Sequence, residues 1–458
     1  MPGLVPSTRR FRFTSRGWKA GAAAAVLLAV PLCVSAEDLL EVYREAQRYD
    51  AVYAAARNSL DAGRERLPQG RALLLPTLNL SASATRSRNE LDSRDPLVLP
   101  SSTRYPEQAG YTLTFTQPLF RRQNWLQYQQ ADHQVRQAEA TFGQAYQDLI
   151  IRVAQAYFDV LGAQDTLALV RAQKEATAEQ LAQAKRNFEV GTATITDTHE
   201  AQARFDLNSA QEIAAQNDLE SKRRALQLLI GKEPTELKRL RADIKLAPPN
   251  PPDMQSWVDL AEKHAYPVQI AEAGAEVASL EARRSTAAHL PTLDFVATHG
   301  QTGASATTES SAGRDITQTV IGLQLAMPLF QGFALTSRDR ETAALSMKSK
   351  DDLENARRNA ALSARQNYLL VSNGIALISA LEQALVSSQS AVDSNKLGYE
   401  VGVRINIDVL NAQQQLFSTR RDLALARYQT IVNNLRLKST AGALREEDLE
   451  EVNRALAP

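Results

Sequence analysis

Two stretches in the first half of the chain alternate between apolar and polar residues. Such alternation predicts β-strands with one apolar and one polar face. The apolar positions are Leu78, Leu80, Ala82 and Ala84 in the first stretch, and Tyr111, Leu113 and Phe115 in the second. The second half repeats the pattern less cleanly, at Leu293, Phe295, Ala297, Ile321, Leu323, Leu325 and Met327. Each half therefore predicts two strands of about ten residues, the length of a tilted membrane-spanning strand, with polar loops at 87–110 and 299–315.

The strands are followed by long stretches with helical periodicity and without proline, from Leu119 to Glu233 and from Leu329 to Ala457. A continuous helix between Phe120 and Val190 has a length on the order of 100 Å. The expected seams are Leu149, Val153, Ala156, Val160, Ala163 and Leu167, then Ile407, Leu410, Gln414, Phe417, Arg421, Ala424, Tyr428, Ile431 and Leu435. Small and polar residues dilute these seams, which favours helices packed in a wide tube. The helices alone fit a plain coiled-coil rod equally well.

The chain contains an internal duplication. Short motifs recur in the same order at a spacing of about 210 residues, as expected of a repeat. They are Leu75–Leu78 and Leu290–Leu293, Pro118–Phe120 and Pro328–Phe330, Phe188–Gly191 and Tyr399–Gly402, Asp197 and Asp408, and Gly231 and Gly442. The proline-rich run from Pro248 to Pro252 is the natural hinge. We expect one structural repeat at 37–247, made of a short helix, two strands and a long helix pair, and a second at 248–458 with the same order of elements and an equatorial C-terminal segment.

Residues 1–36 have the features of a signal peptide. Five basic residues precede an apolar stretch from Ala20 to Val34, and Val34–Ala36 resembles a cleavage site. This apolar stretch is shorter than a membrane-spanning helix requires, although a short anchor is the alternative. The chain's single cysteine, Cys33, follows Leu32 and not the small residue that lipid attachment needs.

Composition excludes several classes of protein. Without the predicted signal peptide the chain has 47 basic and 52 acidic residues, a net charge of about −5, which argues against nucleic acid as a partner. After the signal peptide, no run of 18 consecutive apolar residues predicts a helical inner-membrane protein. The histidines His133, His199, His264, His289 and His299 lack metal-ligand spacing, and no nucleophile or phosphate-binding motif is present. We expect no enzymatic activity, no cofactor and no metal site.

Two further interpretations compete for the strands and helices. A soluble sheet explains the strands alone, and a periplasmic adaptor without a pore explains the helices alone. Four strands per chain cannot close a wide barrel. Three chains supply twelve, and closure removes the unpaired edges that lipid does not tolerate. The predicted fold is therefore mainly α with a membrane β-barrel portion: long antiparallel helices form an α-helical barrel, and a trimer closes a twelve-stranded barrel.

The repeated motifs resemble the TolC family of outer-membrane efflux and type I secretion ducts. The residues that carry the resemblance are 117–120, 186–191, 195–197, 290–293, 398–404, 408–410 and 426–442. The resemblance covers nearly the whole chain after the signal peptide. It implies a homotrimer in outer-membrane lipid, a twelve-helix tunnel in the periplasm, and a collar built from 232–252 and 442–458.

The resemblance also implies a gate where the tunnel closes. Arg404 and Tyr399 are expected to bond to Asp197 and Thr196, within or between protomers. Asp408 is expected to point into the lumen, so that three copies form an acidic ring that favours cations. Family members with two aspartate rings have a second carboxylate where this chain has Asn411, which puts a strong block by divalent cations in doubt.

The helix pairs are expected to reverse at the same end, far from the strands. Each reversal falls at a Val-Gly pair, Val190 and Gly191 in the first repeat, Val401 and Gly402 in the second. These turns are expected to dock a periplasmic adaptor. Through that adaptor, an RND or ABC transporter of the inner membrane would supply the energy for passive passage of drugs or secreted proteins.

Overall fold

The structure is a computed structural model that describes residues 36–457, apart from 96, 98–99, 242–243, 245 and 306–311. The predicted signal peptide and Cys33 lie outside the described residues, except for Ala36. The fold described below belongs to the compact unit Ala36–Pro458.

The first half of this unit contains five helices and two pairs of strands. Three short helices, α1 (Leu39–Tyr49), α2 (Ala51–Arg64) and α3 (Arg66–Ala72), precede the strands. The strands are β1 (Thr77–Arg86), β2 (Asn89–Leu91), β3 (Ser102–Arg104) and β4 (Glu107–Phe120). Two long helices follow, α4 (Arg122–Glu189) and α5 (Ile195–Ile230).

The second half repeats this order with fewer short elements. Its first two helices are α6 (Met254–His264) and α7 (Tyr266–Thr286), followed by a 3-10 turn at Ala287–His289. Its strands are β5 (Thr292–Ala304) and β6 (Arg314–Ala326). The last three helices are α8 (Ala334–Glu400), α9 (Asn406–Thr440) and α10 (Glu446–Arg454). The predicted class, long helices with four principal strands, is confirmed.

The four long strands form one antiparallel sheet in the order β1-β4-β5-β6. Its register places Leu78 beside Phe115, Phe115 beside Ala297, and Ala297 beside Ile321. Since paired residues point to the same side, every predicted apolar strand position between Leu78 and Leu325 lies on one face. On β1 and β4 the opposite face carries Asn, Ser, Thr and Gln side chains, whereas on β5 and β6 it also contains Asp294, Val296, Ile316 and Val320. The sheet is therefore clearly amphipathic on β1 and β4 and less cleanly so on β5 and β6.

Both edges of this sheet are open. Among the described residues, neither β1 nor β6 has a partner along its outer side, and every residue of both strands is exposed. The apolar block on β5 and β6 also lies closer to the helices than that on β1 and β4. The apolar band therefore crosses the sheet obliquely, as expected where strands cross a bilayer at a tilt.

The long helices α4 and α8 run the length of the helical part, and shorter helices pack along them. Near the strands, α4 contacts α2, α3 and α7, and α8 contacts α6 and α7. Towards the opposite end, α4 contacts α5 and α9, and α9 lies against α8. The α4–α5 and α8–α9 helix pairs are thus joined side by side through α4 and α9.

The main apolar core lies at mid-length, where α1, α4, α9, α10 and the end of α5 meet. Tyr157 on α4 is buried there and donates to the carbonyl oxygens of Glu37 (3.2 Å) and Lys238 (2.8 Å). The two expected collar segments meet at the same level, because Ala457 donates its N–H to the Arg239 carbonyl at 2.7 Å.

One exposed apolar surface runs along α8. This helix contains an 18-residue window of mean hydropathy 1.6, of which 6% is buried, so among the described residues one helix could cross a membrane by length and composition. A single such helix is weak evidence of a span. Exposed side chains along α8 include Leu362, Leu369, Leu370 and Leu377. A surface of this kind also fits a contact with another chain.

Several expectations from sequence need correction. The loop predicted at 299–315 is shorter, because Ala304 and its predecessors back to His299 continue the ladder with β4. The loop at 87–110 contains the small β2–β3 hairpin, and its last residues belong to β4. Helices α2, α3 and α7 were not predicted. In the α9 seam, Gln414 and Arg421 are exposed, and Gln413 and Leu416 are buried instead.

Candidate functional site

The two Val-Gly turns have the same backbone geometry. Gly191 and Gly402 have φ angles of 79° and 76°, the left-handed conformation that glycine adopts without steric cost. In the first turn the N–H of Thr192 donates to the Asn187 carbonyl at 2.8 Å, and in the second Val403 donates to Gly398 at 2.8 Å. This six-to-one hydrogen bond is the Schellman motif, which ends a helix and reverses the chain.

The two turns lie side by side at one end of the helical part. Asn187, at the end of α4, donates its side-chain amide to the Tyr399 hydroxyl near the end of α8, at 3.2 Å. Just beyond the turns, Leu181, Ala184, Ala201 and Leu410 form a small apolar cluster between α4, α5 and α9. Polar contacts and one small cluster therefore join the two helix pairs here.

The structure does not bring the expected gate residues together within one protomer. Asp197 caps its own helix, accepting from the N–H (2.9 Å) and hydroxyl (2.8 Å) of Thr194. Arg404 lies beside Asp408 at 3.7 Å, one helical turn away. Tyr399 accepts from Asn187, as described, and Thr196 is exposed in the first turn of α5. The expected bonds from Arg404 and Tyr399 to Asp197 and Thr196 are therefore absent from this chain's described residues. Bonds between protomers stay a prediction.

The charges at this end are exposed. The Arg404 side chain is 59% exposed and Asp408 35%, so solvent screens their attraction. Exposed ion pairs of this kind contribute about 0 to 1 kcal/mol each. The contacts at the turns can therefore break at low cost.

Sequence reasoning missed two residues that join the helix pairs. Asn187 lies within the motif at 186–191, but the sequence alone does not indicate its bond to Tyr399. Arg204 on α5 donates to the side-chain oxygens of Asn411 (2.9 Å) and Gln414 (2.7 Å) on α9. Its position was predictable in part, because Arg204 follows Asp197 by two helical turns and so lies on the same face of α5.

Ionisable groups elsewhere serve structural contacts. In the described part of the chain, no three His, Cys, Asp or Glu side chains are grouped closely enough to hold a metal ion. The Arg121 guanidinium binds both carboxylate oxygens of buried Asp294, at 2.8 and 2.5 Å, where the sheet joins α4. Below the sheet, Asp339 accepts from the Ser285 hydroxyl at 2.7 Å, and this bond holds the pKa of Asp339 below its usual value.

The chain belongs to the outer membrane efflux protein family, whose sequence model matches residues 42–232 and 257–443. It is 32% identical to the outer membrane protein TolC of Vibrio cholerae, over 92% of this chain and 94% of that protein. It is also 32% identical to the proteases secretion protein PrtF of Dickeya chrysanthemi, over 93% and 94%. These matches make the chain an outer-membrane channel protein of efflux and secretion systems. Members of this family are passive channels and not enzymes.

Solved structures show the same fold. The outer membrane protein VceC of Vibrio cholerae superposes with a TM-score of 0.74 at 20% identity, covering 88% of this chain and 96% of that one. The Campylobacter jejuni CmeC outer membrane channel superposes with a TM-score of 0.76 at 15% identity, covering 92% and 90%. The arrangement of long helices and strands is therefore that of known outer-membrane channels.

Proposed function

We propose that three copies of this chain form one channel through the outer membrane, continued into the periplasm by a helical tunnel. The observation that carries this proposal is the sheet, which is amphipathic and open at both edges. An open edge in lipid leaves backbone groups without hydrogen bonds, each at a cost of several kcal/mol. Pairing β6 of one chain with β1 of the next satisfies them, and three four-stranded sheets give a twelve-stranded barrel.

The exposed side of α8 supports the same assembly. Several leucines along α8 are exposed to solvent in a single chain. On α5, Leu207, Ile213 and Leu228 are also exposed. These two helices flank the protomer on opposite sides, since α4 and α9 lie between them. Contact between α8 of one chain and α5 of the next would bury both surfaces and close the tunnel.

The repeats at 37–247 and 248–458 are proposed to arise from duplication. Gly231 and Gly442, separated by 211 residues, both have positive φ angles of 77° and 68°. A Cβ at Gly231 would meet the ring of Tyr49 at the end of α1, and one at Gly442 would meet the backbone of His264 at the end of α6. Each glycine therefore packs closely against the last residue of the first helix in its own repeat.

The turn end is proposed as the gate and as the docking surface. The gate consists of Asp197, Thr196, Tyr399 and Arg404, with bonds between protomers, and Asp408 lines the lumen as an acidic ring. The turns at Val190–Gly191 and Val401–Gly402 are exposed. A periplasmic adaptor docking there would connect the channel to an RND or ABC transporter. The family's name supports efflux, and the name of the proteases secretion protein PrtF supports protein secretion, so we propose drugs, secreted proteins or both as the cargo.

Single-channel recording in planar bilayers tests the channel and its gate together. Arg404→Ser removes the 3.7 Å pair with Asp408 and is expected to raise conductance. Arg358→Ser is the matched control, because Arg358 makes the same kind of exposed pair, 2.9 Å from Glu354, in mid-helix. Unchanged conductance for Arg404→Ser would remove this residue from the gate.

The oligomeric state is tested by sedimentation of the detergent-solubilised protein. A measured mass equal to that of one chain would contradict the trimer.

The acidic ring and the cargo need separate tests. Asp408→Ala is expected to weaken cation preference, and an unaltered reversal potential would count against the ring. Deleting the gene and comparing drug sensitivity with the profile of secreted proteins separates efflux from secretion. A change in one phenotype alone would assign the channel to that pathway.

A further inference from the structure

Just beyond the turns, Arg204 bridges the seam between α5 and α9, next to the small apolar cluster that contains Ala201 and Leu410. Arg204 is half-buried and donates to Asn411 Oδ1 at 2.9 Å and to Gln414 Oε1 at 2.7 Å. Both acceptors are exposed and lie on one face of α9, three residues apart. The two helices otherwise approach each other little, because α4 lies between them for most of their length. Arg204 therefore links the first helix pair to the second.

The seam around Arg204 is polar where it is buried. Thr177, Asn208 and Gln413 are each at most 6% exposed, and Asn208 donates to the Thr177 hydroxyl at 2.8 Å. The amide oxygen of Gln413 is buried without a hydrogen-bond partner among the described residues. Apolar packing at this seam is limited to the small cluster that contains Ala201 and Leu410.

A cavity lies next to this seam, on the side away from the turns. Leu169, Val170, Phe417 and their neighbours on α4, α5 and α9 line a cavity of about 480 Å³. Gln414, one of the Arg204 acceptors, lies at its lower end. Packing between α5 and α9 is thus interrupted immediately above Arg204, so few other contacts between these two helices resist their separation at this level.

We propose that Arg204 is a second latch of the channel, tying α5 to α9 in each protomer separately from Arg404 and Tyr399. This inference rests on the proposed function, because a latch has meaning only in a channel that opens. Its acceptors are neutral amides. The Arg404–Asp408 ion pair weakens with salt, whereas the acceptors of Arg204 carry no charge that salt could screen. The two latches therefore differ in their response to salt.

The first experiment measures single-channel conductance of the full-length channel in planar bilayers. Arg204→Ala is expected to raise conductance several-fold and to increase cation preference, because a positive charge near Asp408 is lost. The rise should persist in high salt, where the contribution of Arg404 fades. Arg224→Ala is the matched control on the same helix, since Arg224 bonds to Glu220 and Gln227 within α5 at 2.7 Å. It should leave conductance unchanged.

The second experiment strengthens the latch. Gln414→Glu turns the bond from Arg204 at 2.7 Å into an ion pair, which Coulomb attraction strengthens, and it leaves position 411 of the expected second aspartate ring unchanged. This change is expected to lower conductance in the otherwise unaltered channel and to have no such effect in an Arg204→Ala background. An equal effect of Gln414→Glu in both backgrounds would overturn the latch.

The outcomes separate this inference from the proposed function. Unchanged conductance for Arg204→Ala, together with a rise for Arg404→Ser, overturns the second latch and leaves the channel intact. Absence of current from the unaltered protein contradicts the channel itself. Should Arg204→Ala fail to assemble, Gln414→Ala removes one bond and keeps the arginine. A smaller rise is then expected, and no rise overturns the inference.

Discussion

The mid-length core and the turn end are built from the same helices but from different chemistry. In the core, Leu149, Ile150 and Val153 of α4 are fully buried, and Tyr157 places its hydroxyl on two backbone carbonyls. At the turn end, four apolar residues form the cluster, and the remaining contacts are polar and largely exposed. The first region is apolar and buried, and the second is polar and largely exposed.

This difference separates two requirements of a channel that opens. Buried apolar area provides most of the stability of a fold, and here it is concentrated where the helices need not move. Exposed polar bonds contribute little individually, so the turn end can rearrange without unfolding the rest. The apolar core therefore provides the stability, and the turn end is the part that the proposed gate would require to rearrange.

The largest expected effect compares two leucines on the long helices. Leu149→Ala leaves a cavity in the core and is expected to lower the free energy of unfolding by about 3 kcal/mol. Leu397→Ala, at a side chain 62% exposed near the second turn, should change it by less than about 0.5 kcal/mol. Denaturant unfolding at fixed protein concentration measures both. A comparable loss at Leu397 would show that apolar packing also closes the turn end.

A smaller effect is expected from the ion pair at the edge of the core. Asp50 is buried and accepts from Arg152 at 2.8 and 3.2 Å. Asp50→Asn keeps a capping group for α2 but removes the charge, and Arg152 retains Asp148 at 2.7 Å. We expect a loss of about 1 to 2 kcal/mol. A loss below the error of the unfolding measurement would show that this pair does not stabilise the core.

The same pair should make core stability depend on pH. Burial raises the pKa of Asp50, but bonds from Arg152 and from the Tyr53 N–H outweigh burial, so the pKa lies below its usual value. A lowered carboxyl pKa contributes stability above the unfolded value of about 4, and that stability is lost as the pH falls through the folded pKa. The difference in melting temperature between the native chain and Asp50→Asn should shrink below about pH 4. A constant difference would contradict this role.

The smallest effect is expected at the turns. Gly402→Ala places a Cβ at a φ of 76°, at a cost of about 1 kcal/mol, although the space around it is open. The cost should appear as faster amide hydrogen exchange in the last turn of α8, with an unchanged global melting temperature. Gly402→Asn is the control, because asparagine tolerates this conformation better. A lower melting temperature for Gly402→Ala would show that the turn and the core unfold together.

Much of the fold could be predicted because its signals are local. The strand β1 begins and ends where alternation predicts, at Thr77 and Arg86. The long helix α4 lies within two residues of the expected bounds, since proline is absent and the Val-Gly pair ends it. In both cases the chain itself carries the periodicity and the stop signal.

The remaining features depend on tertiary contacts. His299 lies on β5 although it interrupts the apolar alternation, because the ladder with β4 extends to Ala304. The buried stripe of α9 shifts from Gln414 to Gln413, since α8 and α4 pack against that helix. The gate shows the same limit: local sequence indicates where Asp197 and Arg404 lie, but the partner of each depends on helix packing. Bonds across subunits stay a prediction.

The unpaired edges of β1 and β6 also bear on how the channel is made. A lone protomer with such edges can neither rest in a bilayer nor persist in water without attracting other strands. Membrane insertion and joining of three chains are therefore expected to occur as one event. Helper proteins in the periplasm would have to shield those two strands until the ring closes.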